Sequence, residues 1–308
     1  MPAGLLTSTD VLKINMSEEL FGVINEVIQE NPELSFFGAS PVTKNQYQSM
    51  RMTELPATSF RKTNTTRKVQ SATFVEKLTA CAYLDASWLM DCAVAEQHDW
   101  GKAAAFAIQT KSHMQSAFFN LSKQIWYGVA SDPNGFIGVK ALLNEFASAG
   151  LSVDASSATA NLSSVYAVRT GLEDTQIAWG SEGKFTEGEV REQWVSTAKD
   201  EGYNAYCQKL GGWCGFQVVS QWAVGRLAKI STGANQGLTD TMMYNLISKF
   251  PSAKLPHAFF MSRRSLFQLR DSRTATNATG APAPIPTEVA GIPIFTSDAI
   301  SDKEETIV

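Results

Sequence analysis

Residues 99–127 read DWGKAAAFAIQTKSHMQSAFFNLSKQIWY. The stretch has no proline, its one glycine stands near the start, and alanine and unbranched side chains dominate, which favours helix. Wound as an α-helix, it gathers Trp100, Ala103, Ala104, Phe106, Ala107, Ile108, Met114, Ala117, Phe118, Leu121, Ile125 and Trp126 on one wide arc. Lys102, Gln109, Ser112, His113, Ser116, Asn120 and Lys123 lie opposite, and only Lys111 intrudes on the apolar side. Asp99 is placed to cap the first turn and Gly128 to stop the last. The rod is roughly 42 Å long. Its apolar face is wider than a two-helix seam needs, so a sheet or other neighbours must cover it. Trp100, Phe106, Ile108, Met114, Phe118, Leu121 and Ile125 are its expected core. By this pattern alone its ordinary reading is the central helix of an α+β domain.

Before the rod, residues 38–80 are polar, threonine-rich and poor in large aliphatics. Gln46–Met52 and Lys68–Phe74 alternate like the arms of a long hairpin, with Arg51, Arg61, Lys62, Arg67 and Lys68 toward its tip. A lone two-stranded ribbon is marginal in water, so this one needs a neighbour to cover it or is a surface loop. Earlier still, Leu12, Met16, Leu20, Val23, Ile24, Val27 and Ile28 recur at helical spacing within Asp10–Glu30, and Asn31-Pro32 ends that helix. Such a helix packs on its own domain or serves as an arm on another subunit.

After the rod comes the turn cluster SDPNGFIG, then a short helix over Val139–Ala149 and a small-residue linker to residue 162. β texture follows. Ser163–Thr170 and Thr175–Gly180 flank a Gly171–Asp174 turn, and the charged Lys184–Asp200 loops out. Tyr203–Lys209 and Gly215–Ile230 are strands with Gly211-Gly212 turning between them. Leu238–Phe250 is a helix capped by Thr239 or Asp240, HAFFMS is a buried strand, and Arg263–Arg270 is a short helix. Arg273–Pro286 has the composition of a mobile loop, and GIPIFTSDAI is a closing strand and turn.

The chain's 308 residues suffice for one large domain or two modest ones. A hydrophobic fraction of 44% with 18% charged residues is globular, and a net charge of −4 argues against a primary grip on nucleic acid. No apolar run is long enough to span a membrane, and the N-terminus lacks the charged-then-apolar order of a signal peptide. Cys81, Cys92, Cys207 and Cys214 form no C-x-x-C pair and are expected as reduced thiols.

No catalytic constellation emerges. There is no G-x-G-x-x-G, P-loop or H-E-x-x-H, and Gly180-Ser181-Glu182-Gly183 has the wrong spacing for a nucleophile elbow. The histidines are only His98, His113 and His257. No enzyme activity, cofactor or metal is expected. Trp179, Trp194, Trp213 and Trp222, with Tyr203 and Tyr206, admit a second reading as a carbohydrate-binding β-protein, although packing is the more ordinary use of such rings.

The order of parts resembles the major capsid protein of tailed bacteriophages, with the Hong Kong 97-type shell fold. SSVYAVRTG followed by IAWGSEG, then WCGFQV and VGRLAKI, HAFFMSRRSLFQL, and GIPIFTSDAISDKEETIV carry the likeness across nearly the whole chain. The resemblance implies an α+β Hong Kong 97-like capsid fold with an N-arm at 1–37 and an E-loop hairpin at 38–82. It implies a peripheral domain at 83–139 and 287–308, with 99–127 as spine helix, and an axial domain at 140–286 carrying a β-insertion at about 163–231. The E-loop, with Arg51, Arg61, Lys62, Arg67 and Lys68, would lie over an adjacent subunit.

Implied partners are other copies of the chain, as hexamers and pentamers of an icosahedral shell, with a separate scaffolding protein, a portal protein and a decoration protein. Contact with the packaged double-stranded DNA would be weak and non-specific, and no membrane is involved. The place of work would be the virion, after assembly in the host cytoplasm. An encapsulin-like compartment shares the fold and is the alternative within the same class.

Overall fold

The computed structural model describes residues 29–66, 69–145, 150–156, 160–198, 201–233, 235–275 and 281–304. Nearly all of the helix expected over Asp10–Glu30 lies outside the described residues. So do Arg67, Lys68, the end of the Val139–Ala149 helix and the centre of the Arg273–Pro286 loop.

In chain order the first elements are α1 (Glu33–Phe36), β1 (Ala39–Pro41), β2 (Gln46–Glu54), β3 (Thr73–Ala80), β4 (Ala82–Asp85), β5 (Trp88–Asp91), α2 (Cys92–Glu96) and α3 (Lys102–Tyr127). The middle of the chain forms α4 (Val139–Glu145), β6 (Ser152–Asp154), β7 (Ser163–Val168), β8 (Thr175–Trp179), α5 (Gly180–Gly183), β9 (Thr186–Glu187), β10 (Arg191–Ala198), β11 (Glu201–Gln208), β12 (Leu210–Val218) and β13 (Val224–Ile230). It closes with α6 (Asp240–Ser248), β14 (Ala258–Met261), α7 (Arg263–Ala275), β15 (Glu288–Val289) and β16 (Ile292–Thr296).

The rod is α3, 26 residues long. It begins later than expected. Asp99 does not cap it, because His98–Gly101 closes a turn (Gly101 N–H to His98 O, 2.9 Å) and Gly101, at φ +82°, reverses the chain before the helix starts. Gly128, at φ +60°, ends it as expected, its N–H returning to Gln124 O. The wide apolar face serves two cores in succession. Ala105, Phe106, Met114 and Ala117 pack with Trp88, Met90 and Leu210, while Leu121, Ile125 and Trp126 pack with Phe37, Phe216 and Phe260.

A six-stranded sheet, ordered β15-β16-β14-β7-β13-β6, separates that second core from a third. Every residue of β7 and β14 is buried, so the sheet is covered on both faces. Tyr166, Val168 and Phe260 face α3, whereas Val165, Ala167, Phe259 and Met261 face Met243 and Leu246 of α6 and Leu269 of α7. The parallel pairing of β14 with β16 joins Ala258–Met261 to Ile292–Thr296 within this sheet. A second sheet, β1-β8-β12-β4 with β9 on β12, packs beside it, and β10-β11-β5 form a third.

Several expectations in the β region are corrected. Gly211 and Gly212 lie inside β12, where Gly211 admits the close backbone and ring of Leu84 and Tyr83 from β4; they are not a turn. Gly215–Ile230 is two strands in different sheets, interrupted at residues 219–223. Lys184–Asp200 does not loop out. About half of it is β10, whose antiparallel pairing with β11 satisfies its backbone. β7 and β13 belong to the central sheet, while the ribbon from β9 to β11 is held by β9 on β12 and by β10 and β11 pairing with each other and with β5. α7 runs to Ala275, and Ala283 is tied back to it by Arg270 Nε donating to Ala283 O (2.8 Å) and Ala283 N–H donating to Thr274 Oγ1 (3.0 Å).

Candidate functional site

The hairpin β2–β3 is the feature that the cores leave out. Its register runs from Gln46↔Ala80 to Glu54↔Thr73, with a bulge near Thr53. The second arm is therefore Thr73–Ala80, later than Lys68–Phe74. Pro56 lacks a ladder donor, and the Lys62–Thr65 turn bends the chain, so residues 55–66 and 69–72 belong to the tip. Asn64 takes φ +65° there, and Arg61 donates to Thr65 O at 2.9 Å.

The alternation of the strands gives the ribbon two unlike faces. Tyr47, Ser49, Arg51, Lys77 and Thr79 share the partly covered face, across a cleft of about 690 Å³ from Leu172, Trp222 and Lys254. Met50, Met52, Phe74 and Leu78 share the other and stand 51–68% exposed. At the tip, Leu55, Phe60 and Val69 are also exposed, with Arg61 and Lys62 between them. A row of large apolar side chains open to solvent is a surface that another molecule covers.

Of the expected contact residues, Arg61 and Lys62 sit together at the tip, whereas Arg51 is half-buried on the ladder, opposite Val75 and beside the cleft. Of the expected rod core, Leu121 and Ile125 are buried and Phe106, Ile108 and Met114 half-buried. Trp100 and Phe118 are not core. They remain 36% and 37% exposed, Trp100 because it precedes the helix and Phe118 because the arc is wider than its covering. Sequence reasoning missed Gln124, which is buried and donates from Nε2 to Phe136 O (2.7 Å), pinning the NGFIG turn to the helix. Nothing in its spacing marks it.

Two buried polar clusters hold this frame. Arg226 Nη2 meets Glu304 Oε2 at 2.8 Å, with side chains 6% and 1% exposed. Ser164 Oγ donates to the same oxygen (2.6 Å) and Tyr127 OH to Oε1 (2.8 Å). Ser301 N–H donates to Tyr127 OH at 2.7 Å, so the C-terminal segment is tied to the end of α3 and to β7 and β13. Burial, then the Tyr166 and Glu304 charges, push the Tyr127 phenol well above its usual pKa. Burial works against the Arg226 charge, but Tyr166 and Glu304 more than offset it and the net shift is upward. Near the N-terminal end of the described chain, Glu33 is fully buried and accepts from Ser297 Oγ at 3.0 Å, with Trp126 and Ser122 beside it. Burial raises its pKa, and the backbone and Ser297 hydrogen bonds oppose the rise.

The tryptophans do not form one ring cluster. Trp213 packs edge-on to Tyr83, Trp179 edge-on to Phe185, Trp222 joins the α6 core, and Trp194 stands exposed on β10.

The sequence family described as major capsid protein GP7 matches residues 17–308. The chain belongs to that family. It is a major capsid protein of a tailed phage, and copies of it associate into the capsid of the virion. Solved structures agree on the Hong Kong 97-like fold. A chain of bacteriophage epsilon15 superposes with a TM-score of 0.72 at 15% identity, over 99% of this chain and 98% of that one. A chain of the bacteriophage JBD30 capsid gives 0.52 at 9% identity, over 96% and 99%. One from Mycobacterium phage Adephagia gives 0.50 at 11%, over 73% and 98%. No curated protein sequence matches the chain. Membership of a phage capsid family favours the phage head over the compartment and carbohydrate-binding alternatives.

Proposed function

We propose that this capsid protein closes an icosahedral head of hexamers and pentamers around double-stranded DNA, and that β2–β3 with its tip is the E-loop that each subunit lays over its neighbour. One observation carries the proposal. The hairpin stands outside all three cores, with Met50, Met52, Phe74 and Leu78 open on one face and Arg61 and Lys62 at the tip. Such a ribbon is marginal alone and gains its burial from a second copy. In this reading residues 1–37 are the N-arm, 83–139 and 287–308 the peripheral domain on its spine helix, and 140–286 the axial domain. Ring closure from one sequence requires heterologous contacts with pliable joints.

The shell takes a separate scaffolding protein, a portal protein and a decoration protein as partners, and assembles in the host cytoplasm. Its work is structural and uses no catalysis. The overall acidity keeps contact with packaged DNA weak, because phosphate contacts made by a basic wall would carry large affinity. The test reverses Arg61, Lys62, Arg67 and Lys68 to Glu and examines the products by sedimentation and negative-stain electron microscopy. The expected result is a subunit with unchanged melting that forms no closed shells. Normal shells from that variant would overturn the hairpin's role.

A further inference from the structure

Charge is unevenly divided along this chain. Residues 38–82 hold seven Lys and Arg against two Glu, a net of +5. The whole chain carries −4, so everything outside that segment carries −9. The hairpin is thus a cationic arm with an apolar face on an anionic body.

One region of the body has the opposite character. β10 is an edge strand, paired with β11 on one side and with no strand among the described residues on the other. Trp194, in the middle of β10, is 63% exposed. Glu187, Glu189, Glu192 and Glu201 are exposed around it, and no cation among the described residues lies within ion-pair distance of them. Residues 186–201 hold five acids against two bases. Asp91 and Glu96 add to the field: burial first, then Glu192, Asp91 and Glu96, raise the Cys92 thiol above its usual pKa. An open edge with a large aromatic on it invites pairing with another chain, and tryptophan is a favoured anchor at the centre of interfaces.

We infer that the β9–β11 ribbon of one subunit receives the β2–β3 hairpin of a second copy of this chain. Arg61 and Lys62 at the hairpin tip meet the carboxylates of Glu187, Glu189 and Glu192, and Trp194 is covered by the apolar face that carries Met52 and Phe74. Complementary fields of this kind steer the encounter and fix its register more than they add affinity. The inference rests on the hairpin being the inter-subunit arm, and it names the surface that arm seeks.

The experiment expresses the full chain with the other head proteins of its phage and counts closed shells by sedimentation and negative-stain electron microscopy. Four versions are compared: E187K/E189K/E192K, R61E/K62E, both sets combined, and W194A. Circular dichroism and melting check that each subunit folds. The ribbon triple variant and W194A are expected to lose roughly tenfold or more in shell yield with unchanged melting. The combined variant is expected to recover a large part of that loss, because each reversed charge again faces its opposite. Wild-type yield from the ribbon triple variant would overturn the inference and leave the ribbon to solvent or to a different protein. A combined variant no better than the ribbon triple variant would overturn it too. If R61E/K62E assembles normally, the hairpin reading itself fails, whatever the ribbon variants do.

Discussion

Glu304→Ala tests the cluster that ties the C-terminal segment to the spine helix. Removing this carboxylate leaves the Arg226 guanidinium, only 6% exposed, without its counter-charge. Tyr127 OH and Ser164 Oγ lose their acceptor in the same step. Breaking a buried ion pair from one side costs about 3–5 kcal/mol, against a total stability of about 5–15 kcal/mol for a typical domain. At about 2 °C per kcal/mol for a large chain, Tm falls by about 6–10 °C. Removing both charges with Arg226→Met and Glu304→Leu behaves differently. Taking a buried pair out together is often neutral or better, and the two hydroxyls left behind cost about 1–3 kcal/mol each in either variant. The double variant should therefore be more stable than Glu304→Ala alone. The assay is urea unfolding of the isolated full-length subunit, followed by the fluorescence of Trp126, whose indole stacks on Tyr166 at 4.7 Å inside the neighbouring core. A Glu304→Ala variant within about 0.5 kcal/mol of wild type, or a double variant equal to the sum of the two single changes, would refute the reasoning.

Two further outcomes are expected. Burial raises the folded-state pKa of Glu33 above its unfolded value, so the folded chain binds a proton there more tightly. Its carboxyl is tolerated best at acid pH, and stability falls as pH rises through the raised pKa, by about 1.4 kcal/mol for each unit of elevation. Glu33→Gln should therefore match wild type near pH 4 and be the more stable protein at pH 8; equal melting at both would count against the buried carboxylate. Gly138→Ala places a methyl group against the backbone of Gly128 and the carbonyl of Gln124. Overpacking of this kind costs about 1–3 kcal/mol, and the loss should show as a lower urea midpoint, with an unchanged midpoint contradicting the close crossing.

How much of this architecture could be read in advance varies from element to element. The rod could be, because helical periodicity over 26 residues survives local noise, and Gly128 marks its end by a backbone conformation that favours glycine. The buried strand AFFM, the helix capped by Thr239 and the existence of a polar hairpin were legible for the same reason: each is written in a short window of residues. Strand partners were not. Gly211-Gly212 has the composition of a turn, yet it lies within a strand because Tyr83 and Leu84 of β4 cross it closely. Lys184–Asp200 looked like a solvated loop, and β11 makes half of it a strand.

The assembly surfaces divide in the same way. The cations of the hairpin stand in the sequence as a run, whereas the carboxylates of Glu192, Asp91 and Glu96 come together only when β10, β5 and α2 are folded against one another. Likewise no spacing joins Glu304 to Arg226 and Tyr127, which are 78 and 177 residues away. The sequence by itself determined the rod, the helix capped by Thr239 and the family, since propensity, periodicity and capping act over a few residues. The tertiary structure alone decided strand pairing, which apolar residues stay exposed and which charges are buried together, because burial and cross-strand hydrogen bonding depend on neighbours that sequence distance does not specify.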